Sequence, residues 1–309
     1  MQQNPVLGFF LALTAAMAWG SLPIALKQVT AVVSVETIIF YRFTVATTIL
    51  FVFLAWKKKL PKLSQFNLQV FTWLIIGIIG LAGNFFLYNS SLNYVEPMIA
   101  QVFSPVSSFG MLLVGILLFK EKLGIHQKIG LVLLVLGLGL FFNDRFALFL
   151  NINIYSIGVI CGFSAAIIWV LYGLAQKILA RFFSTQQILM FMYFGCVLVF
   201  MPMSNYKQFD ELSPFAWGCF IYCCLNTPLA YGAYAEALNQ WEVSKVSVVV
   251  TVGPLFTLLF GHLIHAFDPT DFAKPEFNTL SYIGALLSVF GAMLAAIGHK
   301  LFNKRKNAL

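Results

Sequence analysis

Runs of about twenty mostly apolar residues, the length that carries a helix across a bilayer, recur through this chain from one end to the other. Ten can be read, at 5–26, 35–56, 68–90, 97–119, 127–142, 154–178, 186–203, 214–235, 243–265 and 280–299. The fifth and seventh are short. The connections between them are too brief for a soluble catalytic domain. Charged residues form only 10% of the 309, and mean hydropathy is +0.88; soluble domains carry about 25% charged residues. Such a chain cannot cover a water-facing surface. The same composition excludes a disordered protein, a nucleic-acid-binding domain and a disulfide-stapled secreted module. The expected fold is an all-α integral membrane protein of ten transmembrane helices.

The net charge of +8 is a topology signal. With ten spans both termini share one side. That side holds fourteen basic residues: Lys57, Lys58, Lys59, Lys62, Lys120, Lys122, Lys128, Lys177, Arg181, Lys245, Lys300, Lys304, Arg305 and Lys306. The other side holds four: Lys27, Arg145, Lys207 and Lys274. Cytoplasmic loops are the ones enriched in Lys and Arg, so both termini are expected in the cytoplasm of a cell whose inner membrane holds the chain. Residues 7–18 look like a signal peptide, but no Lys or Arg precedes them and the apolar run continues to Leu26. They read as an uncleaved first span.

Shifting the chain by 150 residues lays Gly8, Ala15, Ala16, Trp19, Ala25 and Lys27 on Gly158, Ala165, Ala166, Trp169, Ala175 and Lys177. A shift of 146 lays Tyr88, Leu92 and Asn93 on Tyr234, Leu238 and Asn239; one of 154 lays Gly130 and Gly137 on Gly284 and Gly291. Three stretches in the same order indicate a duplication, with halves at 1–146 and 147–309. Five spans per half is an odd number, so the second half enters the membrane inverted. Inverted repeats enclosing a midplane site are the architecture of secondary transporters.

The ordered motifs resemble the EamA-type proteins of the drug/metabolite transporter superfamily. The resemblance runs over essentially the whole chain. It rests on a tryptophan in the first span of each half (Trp19, Trp169), Arg42-Phe43 in the second span, Ala237-Leu238 followed by Gly253-Pro254 in the second half, and Leu118 to Leu123 at the end of a fourth span. Pro105 stands three residues before the position where the family's pattern has a proline, and the second half lacks the family's Gly-Glu signature at 261–268. The resemblance implies efflux or exchange of small metabolites, amino-acid-like or other organic solutes, without ATP. The expected partners are the solute and the lipid bilayer, with no nucleic acid, and no cofactor or metal is expected.

Polar groups inside spans are costly unless they pair or face a cavity, and aromatic residues well inside a span lie away from the interfacial belts, which selects candidates for a substrate cavity. Arg42 either anchors a solute carboxylate or ties helices together. Trp19, Trp169, Tyr172, Tyr231, Tyr234 and Tyr88 either line a pore or pack helices. Asn84, Gln101, Ser104, Ser247 and Thr251 either form an uncharged lining suited to zwitterions or bond between helices. Gly77, Gly80 and Gly83 offer a face for close helix contact. No carboxylate falls near a span's midpoint, which favours facilitated movement over proton coupling, and no phosphate-binding glycine loop is present. Two other readings stay open. A membrane-embedded lipid-modifying enzyme would use His262, His265, Asp268 and Asp271; an assembly subunit would bind no solute. The five cysteines read as small apolar residues, not zinc ligands.

Overall fold

The computed structural model describes residues 4–61, 66–119, 124–145, 153–241, 243–268, 272 and 275–306. Lys62, Lys120, Glu121, Lys122, Glu242, Asp271 and Lys274 lie outside them. The described residues form helices and links without a strand. In chain order the helices are α1 Pro5–Thr30, α2 Val35–Trp56, α3 Leu68–Ser91, α4 Pro97–Gln101, α5 Ser104–Phe119 and α6 Ile125–Phe141. Then follow α7 Ile154–Leu179, α8 Thr185–Phe200, α9 Pro214–Gln240, α10 Val243–Val250, α11 Gly253–Phe267 and α12 Thr279–Lys306.

Polar caps start these helices. The first N–H groups of a helix have no partner within it, and the Asn67 side chain accepts from Val70 N–H at 2.8 Å, Asn153 from Ser156 N–H at 2.9 Å and Ser213 from Ala216 N–H at 3.1 Å. At α8 the exchange is reciprocal: Ser184 Oγ accepts from Gln187 N–H while Gln187 Oε1 accepts from Ser184 N–H at 2.9 Å, a capping box.

By length and composition, seven helical segments among the described residues suffice to cross a membrane, and 125–141 is a shorter apolar helix. Two further runs of the sequence reading fall outside that set for visible reasons. The fourth run is split at Val102-Phe103 into α4 and a 16-residue α5. The 27-residue α9 carries Asn226, Thr227 and Pro228 in its middle. The ninth run is split too, at Thr251-Val252, between α10 and α11. Each split is followed two residues later by a proline, Pro105 or Pro254. Proline has no N–H to continue a ladder and disfavours helical geometry in the residue before it. A shift of 149 superposes the two splits, so the early Pro105 does not displace the first break relative to the second.

Helix α1 lies along α9, and α3 along α7. Helix α2 lies along α8, and α6 along α12. Helix α9 also meets α2 as α3 meets α8, and α11 meets α1 as α5 meets α7. Each pairing has a counterpart under the sequence shifts given above. The α6–α12 seam is the closest: a Cβ on Gly130 would stand 2.5 Å from the Gly291 carbonyl oxygen, and one on Gly291 would stand 2.6 Å from that of Gly130. Small residues let membrane helices approach backbone to backbone. Gly80 does this for α3 against Leu171 and Tyr172 of α7, with Gly77 on Met192 and Gly83 on Ile168.

At the end of the bundle where α1 finishes, Ser34 N–H and Oγ both donate to Gln208 Oε1 at 3.0 Å, and Asn143 Nδ2 donates to Asn278 Oδ1 at 3.1 Å. At the opposite end Asn4 N–H donates to Gln240 Oε1 at 3.3 Å, and Gln187 Nε2 to the Lys59 carbonyl at 2.8 Å. Phe10, Phe71, Leu117, Val135, Ile160, Leu198 and Phe290 remain exposed. An apolar outer surface of that extent marks a body made for contact with something other than water.

Candidate functional site

Arg42 is the largest fully enclosed polar side chain, 2% exposed. Helix α2 presents it to α3 and α9. Its Nε donates to Thr227 Oγ1 at 3.2 Å, its guanidinium donates to Asn89 Oδ1 at 3.5 Å, and it lies over the Phe85 ring at 4.8 Å. Asn89 is held by its own Nδ2, which donates to the Phe85 carbonyl at 2.5 Å. Thr227 in turn donates to the Cys223 carbonyl at 3.3 Å, in the turn where Pro228 supplies no N–H. A guanidinium in low dielectric must be paired or hydrated. Here two amide and hydroxyl acceptors and an aromatic face do that, and the result ties three helices together.

Five of the six aromatic candidates, all but Tyr88, fall into one group. Trp19 sets its ring 5.2 Å from Tyr231 at 75° and 5.5 Å from Tyr234. Trp169 lies 5.5 Å from Tyr172 and packs against the cluster that holds Tyr172, Tyr193 and Tyr231. Tyr193 completes the set 6.0 Å from Tyr231. The two tryptophans that match under the repeat therefore pack against one buried cluster. Edge-to-face contacts of this kind contribute about 0.5–1.5 kcal/mol each beyond burial.

The uncharged candidates divide. Tyr88 donates its hydroxyl to Gln101 Oε1 at 2.5 Å, joining α3 to the last residue of α4 beside the helix split. Gly253, the first residue after the other split, lies close to Gln101 Nε2. Asn84 donates to the Ala165 carbonyl at 2.9 Å, across the α3–α7 contact. Ser247 and Thr251 stay within their own turn, where Thr251 Oγ1 donates to the Ser247 carbonyl at 2.6 Å. The half-buried Ser104 opens α5, and its carbonyl accepts from Ser107 Oγ at 2.6 Å.

Sequence reasoning passed over four residues of this region: Asn89, Thr227, Asn226 and Tyr193. Asn226 donates to the Ala18 carbonyl at 2.8 Å and to Tyr222 at 2.9 Å. A signal existed for two of them, because Asn226-Thr227-Pro228 puts consecutive polar residues and a proline in mid-run.

Among the described residues no three His, Cys, Asp or Glu side chains gather into a metal site. His262 and His265 are each used elsewhere. His262 bonds the Leu258 carbonyl at 2.9 Å and Tyr282 at 3.1 Å, and His265 bonds the Phe272 carbonyl at 2.7 Å.

Residues 6–143 and 156–297 each match the EamA-like transporter family. The chain belongs to that family. A protein of Haemophilus influenzae named "Uncharacterized transporter" is 60% identical over 302 residues, 97% of this chain and 98% of its own length. The Escherichia coli "Uncharacterized inner membrane transporter YhbE" is 42% identical over 306 residues, 98% of this chain and 95% of its own. A crystal structure of a protein 18% identical to this one shares the fold, with a TM-score of 0.65 over 96% of this chain and 98% of that one.

Of the polar contacts here, Arg42 to Thr227 and Asn84 to Ala165 join the two EamA-like matches, and Arg42 to Asn89 and Tyr88 to Gln101 lie within the first. Tyr88 and Gln101 offer a direct check on one such contact. Tyr88→Phe removes the donor that serves the buried Gln101 Oε1. Orphaning a buried acceptor costs about 1–3 kcal/mol, so the purified variant should melt several degrees below the parent. An unchanged melting temperature would mean that water already serves Gln101.

Proposed function

We propose that this chain is a secondary transporter of the cytoplasmic (inner) membrane that moves small organic solutes, amino-acid-like among them, by alternating access without ATP, in efflux or exchange. The observation that carries this reading is the pair of helix splits at Val102-Phe103 and Thr251-Val252, superposed by a shift of 149 residues. Transporters build solute sites from discontinuous helices at matching places in two inverted halves. Gln101 and Gly253 bring the two splits together, and α1 and α7, which carry Trp19 and Trp169, pack against the helices on either side of them.

On this reading the halves are 1–146 and 147–309, ten helices cross the bilayer, and both termini are cytoplasmic. The cavity draws on Trp19, Asn84, Tyr88, Gln101, Ser104, Trp169, Tyr172, Tyr231, Tyr234, Ser247 and Thr251, with Arg42 as the structural tie behind it. The pairing of links at the two ends of the bundle supports the crossing pattern, and the fourteen-to-four division of basic residues supports the sidedness.

Two measurements test it. Solute-loaded proteoliposomes containing the purified chain should release one or more members of an amino-acid and small-metabolite panel faster than empty vesicles, with no ATP supplied. Absence of any flux across a broad panel would favour an assembly subunit. For topology, single cysteines placed in a background freed of the native five should divide by side. Tyr206→Cys should react with a membrane-impermeant thiol reagent in intact cells and Lys59→Cys should not. Reaction at Lys59→Cys from outside would overturn the orientation.

A further inference from the structure

Charge is scarce in the middle of this bundle, where Arg42 is fully engaged. At the end where α1 finishes, charges of both signs meet. There a cavity of about 400 Å³ is lined by Lys27 from α1, Glu96 from the link between α3 and α4, Arg145 after α6 and Tyr155 of α7, with Tyr94, Val95 and Ile99. That volume is within the range of about 300–1,000 Å³ usual for small-molecule sites.

The hydrogen-bonding of this cluster is incomplete in a directional way. Lys27 Nζ donates to the carbonyls of Leu92 at 2.6 Å and Val95 at 2.9 Å. Arg145 donates to the Glu276 carbonyl at 2.9 Å and lies over the Phe277 ring at 4.7 Å. Its one ion-pair contact among the described residues is Asp144, 3.8 Å away on a side chain 41% exposed. Both cations thus rest mainly on neutral carbonyls. Glu96 Oε2, by contrast, is enclosed and has no hydrogen-bond donor among the described residues. Burial raises the Glu96 carboxyl above the usual carboxylate range, with Arg145 and Lys27 pulling it down and Glu276 adding to the rise. A carboxylate oxygen accepts only, so what is missing at Glu96 is an N–H or O–H. What the two cations lack is a close anionic oxygen.

We propose that this cavity is a second solute site, at the mouth of the pathway, for small molecules carrying a carboxylate and a protonated amine a few ångströms apart. Lys27 and Arg145 take the carboxylate, and Glu96 Oε2 accepts from the ammonium. The proposal deepens the transporter reading and rests on it. The mostly uncharged aromatic and amide groups of the centre accept a zwitterion and a neutral analogue of the same shape alike. Discrimination by charge belongs where unpaired charge is, and specificity of that kind comes from leaving the wrong ligand's partner groups unsatisfied.

The test uses the full chain in nanodiscs and the twenty L-α-amino acids as probes, by calorimetry and thermal shift. Each one that binds is compared with its N-acetyl derivative and its carboxamide. The parent protein should bind at least one amino acid tenfold or more tighter than either derivative. Glu96→Gln should remove the discrimination against the N-acetyl form while keeping that against the carboxamide. Arg145→Gln should do the reverse, and Lys27→Gln serves in its place should the arginine variant fail to fold. Binding of no amino acid by the parent, or full discrimination kept in folded Glu96→Gln and Lys27→Gln, overturns the site. Flux of the same probes in proteoliposomes separates the two readings. Flux with discrimination untouched by the variants removes the mouth site and leaves the transporter. Charge-dependent binding without flux removes the transporter and leaves the site.

Discussion

Arg42→Ala is expected to reduce the amount of folded protein whatever solute is offered. The substitution empties the space of a side chain that is 2% exposed and strips the donors from Asn89 Oδ1 and Thr227 Oγ1. Large-to-small replacement and orphaned buried acceptors together cost about 3 kcal/mol or more. For a chain of this size that lowers melting by roughly 8 °C, read by fluorescence-detected gel filtration after heating. Arg42→Lys keeps one cation but loses the planar fork that spans Asn89, Thr227 and the Phe85 face, so an intermediate loss is expected. Full abundance of Arg42→Ala, with transport lost for carboxylate-bearing solutes alone, would reverse the assignment and make Arg42 a solute ligand.

A second large effect is expected at the α6–α12 seam. A Cβ at Gly137 would stand 2.6 Å from the Ser288 backbone nitrogen and 2.7 Å from the Gly284 carbonyl oxygen; one at Gly284 would press on the backbone of Phe141 and Gly137. Backbone cannot turn aside as a flexible side chain can. Overpacking of this sort costs about 1–3 kcal/mol per site, and Gly137→Val with Gly284→Ala should leave little protein in the membrane fraction. Gly139 is the control on the same helix. A Cβ there meets nothing within 4 Å, so Gly139→Ala should be neutral or slightly stabilising, as helix propensity favours alanine. Equal losses at Gly137 and Gly139 would point to a general demand for glycine in α6 rather than to the seam.

Much of this protein was legible in its sequence because the bilayer leaves few ways to satisfy a backbone. The apolar runs begin within two residues of a helix start, and glycines 77, 80 and 83 marked a face for close contact before any partner was known. The two splits were less legible. Hydropathy continues unbroken through Val102-Phe103 and Thr251-Val252, and only the prolines that follow betray them. Arg42 shows where sequence reasoning stops. Its position in mid-run announces a paired or hydrated charge, but the partner Thr227 lies 185 residues away and cannot be reached by spacing on one helix. The mouth cluster was hidden for the same reason, since Lys27, Glu96, Arg145 and Tyr155 come from four separate segments.

The glycine seam also bears on how the bundle moves. Where Gly130 and Gly291 face each other's carbonyls, sliding one helix along the other by a single residue, about 1.5 Å, drives a neighbouring side chain into a slot with room for hydrogen alone. Such a joint has one register. Helices α6 and α12, one from each half, must therefore travel as a single strut. On the transporter proposed above, reversal of access is carried by the remaining helices turning about it, in the manner of a door about its post.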